Sequence, residues 1–165
     1  MKIFLRLAFL AAVVTGGIWL WTVLFPGPEK IIRHRLTEIA RLASFNANDN
    51  QLAALGAAQK LAGFCSPDLH VKLVAPVNVD HTFESREEIA QTDLGARAQL
   101  GSGLKVEFVD VLLTFAPDKQ SAEADLTARW QPVGGDLNVQ EIKFTFKKVD
   151  GQWLVMRVET VRTFS

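Results

Sequence analysis

Leu104-Lys105-Val106-Glu107-Phe108-Val109-Asp110-Val111-Leu112-Leu113-Thr114-Phe115 begins as a clean alternation and then changes phase. Leu104, Val106 and Phe108 are apolar, with Lys105 and Glu107 between them; from Val109 the apolar positions become Val109, Val111, Leu113 and Phe115. Side chains of a strand alternate between its two faces, so a one-residue slip would send half of this apolar set to the wrong side. An extra residue inserted at the slip restores the face. That is a β-bulge, and a bulge bends its strand. The segment therefore predicts one long strand, bent near Phe108 and Val109.

The chain that follows is built the same way. Pro117 to Gln120 is a turn, after which Ala122, Ala124, Leu126, Ala128 and Trp130 face one way while Glu123, Asp125, Thr127 and Arg129 face the other. Pro132 to Asp136 forms a glycine-containing loop. Ile142, Phe144 and Phe146 then alternate with Glu141, Lys143, Thr145 and Lys147. Asp150-Gly151 is a strong two-residue hairpin signal. The last strand runs from Trp153 towards Phe164, with Leu154, Met156 and Val158 read as one face.

Before the bent strand the period is helical. Glu29 to Phe45 carries Ile32, Leu36, Ile39 and Ala43 at helical spacing. Asn50 caps an alanine-rich helix ending near Phe64. Leu69–Val74 and Val77–Phe83 are short strand candidates separated by Pro76. Ser85-Arg86-Glu87-Glu88 is a capping-box pattern opening a helix to about Leu100, which Gly101 and Gly103 end. Helices followed by an antiparallel meander mean α+β. The expected sheet is curved, mixed or antiparallel, and wrapped around the N-terminal helices.

Residues 7–25 contain no charge. As a helix they span about 29 Å, the thickness of a bilayer's hydrocarbon core. Trp19 and Trp21 stand near one end, where indole favours the interface. The expected organisation is a short tail over residues 1–6, a transmembrane anchor over 7–25 and one domain over 29–165. A cleaved signal peptide is the competing reading, but no small-x-small site follows the run. A tail this short, carrying Lys2 and Arg6, suits a signal anchor. The expected location is a single pass through the inner membrane, with the domain periplasmic or extracellular.

Composition removes several function classes. Eighteen basic and eighteen acidic side chains balance, so no nucleic-acid partner is expected. Cys65 is the only cysteine, which excludes an internal disulfide and any site needing two thiolates from one chain. His34, His70 and His81 have no metal-ligand spacing, and no phosphate-binding glycine loop occurs. Neither a metal nor a cofactor is expected.

The order of elements resembles the nuclear transport factor 2-like superfamily, also described as SnoaL-like or as the cystatin-like cone. The resemblance rests on the paired helices, the helix opened by Ser85-Arg86-Glu87-Glu88-Ile89, the bent strand 104–115, and the ending Phe144-Thr145-Phe146-Lys147-Lys148-Val149-Asp150-Gly151-Gln152-Trp153-Leu154-Val155. It implies a cone whose open end can hold a ligand. The superfamily contains isomerases, dehydratases, cyclases, adaptors and secretion-system scaffolds, so the fold does not select a function. Its ketosteroid-isomerase-like members use a tyrosine in the oxyanion hole, and this chain has no tyrosine.

The candidate pocket residues are His81, Phe83, Asp93, Arg97 and Trp130. His81 shares an alternating face with Val79 and Phe83, and a titratable group on a cone-lining face is a candidate acid or base. The bland reading is a histidine at the mouth. Asp93 occupies a position on its helix where an apolar residue is expected, and Arg97 follows four residues on, the spacing of an ion pair. The expected function is a membrane-anchored, non-catalytic domain that binds a partner protein or a small apolar ligand, or serves as a scaffold subunit of an envelope assembly. A homodimer through the sheet fits the same frame. The alternative is a SnoaL-like isomerase, dehydratase or cyclase acting on a small hydrophobic substrate, with His81 and Asp93 as its catalytic candidates.

Overall fold

The computed structural model describes residues 14–15, 27–74 and 78–161. The chain divides into two units, Met1–Ile32 and Arg33–Ser165. The expected anchor over residues 7–25 lies, apart from Val14 and Thr15, outside the described residues. Among the described residues no helix is long and apolar enough to cross a membrane.

The elements are α1 (Pro28–Ala43), β1 (Phe45–Asn46), α2 (Gln51–Gly63), β2 (Cys65–Leu73), β3 (Val79–Thr82), α3 (Arg86–Leu100), β4 (Gly103–Phe115), β5 (Ser121–Pro132), β6 (Asn138–Val149) and β7 (Gln152–Thr160). Among the described residues, the seven strands form one sheet in the order β1-β4-β5-β6-β7-β2-β3. Every pairing is antiparallel except β2 with β7, which is parallel. The fold is α+β, with a mixed sheet curled against the helices.

The caps form where the side chains predict them. Asn50 accepts the Ala53 N–H through its side chain, and Ser85 accepts that of Glu88. Gly101, at φ +50°, ends α3. Gly103, at φ +112°, is required by contact as well: a Cβ there would lie 2.9 Å from the Phe45 carbonyl oxygen. That close approach is what lets two-residue β1 add to the edge of β4. Asp150 and Gly151 both have positive φ, as a type I′ hairpin needs.

The bend in β4 is the central structural event. Val109 pairs with Thr127 and Leu112 with Asp125, so Asp110 and Val111 together face the single residue Leu126. Asp110 takes the left-handed conformation, φ +54°. Exposure follows the slip: Lys105 and Glu107 are open before it, Asp110, Leu112 and Thr114 after it. The two halves of β4 thereby keep their apolar side chains on one inner face.

Register then sets the core. Phe115, Ala122, Phe146 and Val155 form one transverse row; Leu113, Ala124, Phe144 and Val158 form the next. Alanines on β5 leave room above the middle strand, so rings from β4 and β6 meet over it. The Phe108 and Phe144 centroids are 5.4 Å apart, and Phe115 meets Trp153 at 6.0 Å. Edge-to-face contacts of this kind add to area burial. From the helices, Leu36, Ile39, Leu42 and Ile89 are buried.

Two expectations are corrected. β2 starts at Cys65 rather than Leu69, because the chain leaves α2 directly into pairing with β7: the Phe64 carbonyl accepts the Val155 N–H. Pro67 is accommodated in an irregular stretch between the paired residues Cys65 and His70. The last strand does not put Leu154, Met156 and Val158 on one face. Phe146 pairs with Val155 and Thr145 with Arg157, leaving Met156 as an extra residue. Trp153, Val155 and Val158 share the inner face, and Leu154 lies opposite.

Two outcomes follow for stability, both measurable by urea unfolding. Asp110→Gly is expected to preserve or raise stability, and Asp110→Val to lower it by about 1–2 kcal/mol, because a β-branched residue is strained at this φ. Ala124→Leu is expected to cost about 1–3 kcal/mol by overpacking beneath Phe144.

Candidate functional site

Asp93 and Arg97 lie one turn apart on α3. Arg97 donates from Nε to Asp93 Oδ2 at 2.7 Å, with side-chain exposures of 8% and 17%. A second donor of Arg97, Nη2, reaches the carbonyl of Leu42 near the end of α1. Its guanidinium also lies over the Phe45 ring, 5.0 Å from the centroid. One side chain thus ties α1, β1 and α3 together. A buried cation needs such partners, and a helix C-terminal carbonyl is a favourable one. The i,i+4 spacing made the pair legible in sequence. The bond to Leu42, 55 residues away, was not.

Arg97 also lines a cleft of about 580 Å³. The cleft runs between the segment Phe45–Asp49, the first half of α2 at Gln51–Leu55, and the end of α3 at Leu94, Ala98 and Gly101. No residue of β4 to β7 lines it. Its exposed lining is mixed: Leu52 is 79% exposed and Leu55 39% exposed, beside the polar Asn46, Asp49 and Gln51. The volume falls in the range of small-molecule sites. A second cleft, about 550 Å³, lies between α1 and β4 along Arg33, Leu36 and Ala40, facing Val106, Phe108 and Val111.

His81 sits elsewhere, on edge strand β3. It pairs with Val71, which pairs with Val158, so by register it belongs to the inner face. Its side chain is nevertheless 50% exposed and bound: Nε2 lies 2.8 Å from Oε1 of Glu88, the capping-box glutamate of α3. Its ring stands edge-on to Phe83, 4.8 Å between centroids. Glu88 reaches back with its other oxygen to the Glu84 N–H at 2.8 Å. His81 is therefore engaged with Glu88, and Asp93 with Arg97, in two separate clusters. Trp130 is half-buried on β5 between Val106 and Asn138.

The inner sheet face offers little acid–base chemistry. Phe108, Leu113, Phe115, the β5 alanines, Leu126, Ile142, Phe144, Phe146, Trp153 and Val155 cover its centre. Cys65 is buried, and burial pushes its thiol up to about 12, so it is no nucleophile near neutrality. Among the described residues no group of three or more His, Cys, Asp or Glu side chains could hold a metal ion.

The outer face is charged instead. Asp125, Lys143, Glu159, Lys72 and Asp80 form a transverse row across five strands, alternating in sign. Lys143 contacts Glu123 at 3.0 Å and Asp125 at 3.7 Å, and Lys72 contacts Asp80 at 3.2 Å.

No family model matches the chain, and no curated protein does. Solved structures share its fold. An NTF2-like protein with a cystatin-like fold from Novosphingobium aromaticivorans superposes with a TM-score of 0.59 at 19% identity, covering 80% of this chain and 79% of that one. The fold is NTF2-like. Yeast Ubp3-associated protein Bre5 superposes with a TM-score of 0.61 at 14% identity, over 84% of this chain and 100% of that one. A candidate scytalone dehydratase from Novosphingobium aromaticivorans matches at 0.55 and 16%, covering 82% and 84%. At such identities the likeness carries the fold and leaves the site to be argued from its own residues.

The capping glutamate gives a pH signature. The Glu84 N–H, and then His81, hold the Glu88 carboxyl below the usual carboxylate range. A depressed carboxyl stabilises the fold fully above its unfolded pKa, about 4.3, and loses that contribution as pH falls through the folded value. Stability of Glu88→Gln is therefore expected to fall less steeply than that of the parent between about pH 5 and about pH 3. Ser85→Ala is expected to cost about 1 kcal/mol at neutral pH. Urea midpoints across pH check both.

Proposed function

We propose that this chain is a membrane-anchored, non-catalytic NTF2-like domain that binds a partner protein or a small apolar ligand. The observation that carries the reading is the separation of its polar groups. His81 is bound to Glu88 at an exposed edge, Asp93 is bound to Arg97 among the helices, and the inner sheet face is lined by apolar side chains. General acid–base catalysis needs titratable groups converging within hydrogen-bond reach of one substrate atom. Here the groups that titrate are spent on caps and ties. What the domain offers instead is an accessible cleft with a mixed lining that includes apolar side chains.

The uncharged run over residues 7–25 supports the tether, and a signal anchor places the domain in the periplasm or outside the cell. A scaffold subunit of an envelope assembly fits this plan. Homodimerisation through the sheet belongs to the same proposal, and the alternating charges of the outer face would make such an interface polar. Among the structural neighbours, Bre5 is named for its association with another protein. The enzyme alternative draws on the candidate scytalone dehydratase. It would require His81 and Asp93 to leave their present partners.

The test is recovery of what the protein holds. Full-length chain isolated from its own membranes into lipid nanodiscs is expected to carry a partner protein or an apolar small molecule, visible by native mass spectrometry. On prolonged incubation with the empty protein, an extracted small molecule is expected to keep its mass. A product of altered mass, absent in His81→Ala or Asp93→Asn, would establish the enzyme reading instead.

A further inference from the structure

We infer that the cleft floored by Arg97 is a site for a small, uncharged amphiphile carrying one hydrogen-bond-accepting head, such as a ketone, ester or amide carbonyl. The inference rests on the binding reading above and names its ligand class.

The argument begins with the donors of one guanidinium. Arg97 uses Nε on Asp93 and Nη2 on Leu42. Among the described residues Nη1 makes no hydrogen bond to the protein, yet no buried side-chain nitrogen or oxygen is left without a partner. Nη1 therefore keeps accessible surface, and Arg97 is one of the residues that line this cleft. A donor held by two other bonds, at 8% residue exposure, is preorganised. An acceptor arriving there loses little to ordering of the side chain.

Charge then selects the head group. The charged residues lining the cleft are Arg97 and Asp49, and Asp93 is already bonded to Arg97. Two carboxylates thus accompany one guanidinium. A ligand carboxylate would add a third negative charge, and an ammonium would meet the guanidinium at the floor. A neutral carbonyl accepts from Nη1 without either penalty. Leu52, Leu55, Leu94 and Ala98 supply walls for an apolar tail. This site is distinct from the interior of the cone, because no strand from β4 to β7 contributes to it.

Three alanines of the cleft, Ala47, Ala54 and Ala98, make the site readable. In full-length protein labelled with ¹³C at alanine methyls and held in nanodiscs, 2-hexanone is expected to shift Ala54 and Ala98 saturably while leaving Ala124, on the inner sheet face, in place. Hexanoate and hexylamine are expected to bind more weakly. Arg97→Met is expected to weaken 2-hexanone by about tenfold, the value of one well-made hydrogen bond to a charged donor. Because that variant also strands Asp93, Ala98→Trp provides the second test: it fills the cleft from an exposed helical position and is expected to abolish the saturable shifts. Shifts confined to Ala124, hexanoate binding tighter than hexanone, or unaltered binding in Ala98→Trp would overturn the site while leaving a binding function intact. A co-isolated protein that moves Ala54 and Ala98, with no response to any of the three probes, would overturn the ligand class. A turnover product would overturn the binding reading itself.

Discussion

The single extra residue in β4 governs the geometry of this domain. Without it, Leu113 and Phe115 would point away from Val106 and Phe108, and the sheet would present two half-apolar faces that no one layer of helices could cover. With Asp110 and Val111 set against Leu126 alone, both halves of β4 face inward and the strand bends. The bend in turn requires that the next strand not crowd its inner surface. β5 answers with Ala122, Ala124 and Ala128, whose small side chains let Phe108 and Phe144 touch across it. Curvature and core composition are thus one constraint expressed on two strands.

The helical layer is held by a different kind of interaction. Its hub is polar: Arg97 joins α3 to the end of α1 and to Phe45 of β1. A buried ion pair is a weak source of stability, since desolvation offsets most of the Coulomb gain. Its value here is specificity of placement. The guanidinium fork accepts only one arrangement of Asp93, the Leu42 carbonyl and the Phe45 ring, and so holds the α1–β1–α2 connection at a set distance from α3. The cleft is the space which that spacing leaves open.

How far the sequence speaks depends on whether a feature is local. The bulge, the Asn50 and Ser85 caps, the Asp150-Gly151 hairpin and the inner face of β5 are all set by neighbours within a few residues, and periodicity exposes them. β1 was not legible, because two residues carry no period. The start of β2 was hidden for a related reason: Cys65 pairs with Val155, 90 positions along the chain, and Pro67 in the strand reads as a stop. The bulge at Met156 is masked because Leu154, Val155, Met156 and Val158 are apolar on both possible phases. At the site, the Asp93–Arg97 spacing was visible while its burial was not, since burial is decided by Leu42 and Phe45. Alternation puts His81 in the same phase as Val79 and Phe83, and in the structure its side chain is half-exposed on edge strand β3. Its engagement with Glu88 depends on how the hairpin β2–β3 meets the start of α3, which no local pattern encodes.

These two interaction types bear on function in opposite ways. The inner face of the sheet is apolar and aromatic, and a catalytic acid buried there would demand compensation for an unpaired charge. The polar groups have instead moved to the periphery of the fold, where they cap α3, tie the helices and ladder the outer sheet. A fold arranged so leaves its accessible polar groups at the edges rather than in its depth. The Arg97 cleft is the place where both traits coincide: a fixed donor from the polar framework opens onto apolar side chains that the core did not absorb. Leu52 illustrates the point, being 79% exposed on a helix whose buried positions are alanines. A leucine left in water beside a fixed donor gains little from burial on folding, and its apolar surface is covered only when the cleft is filled.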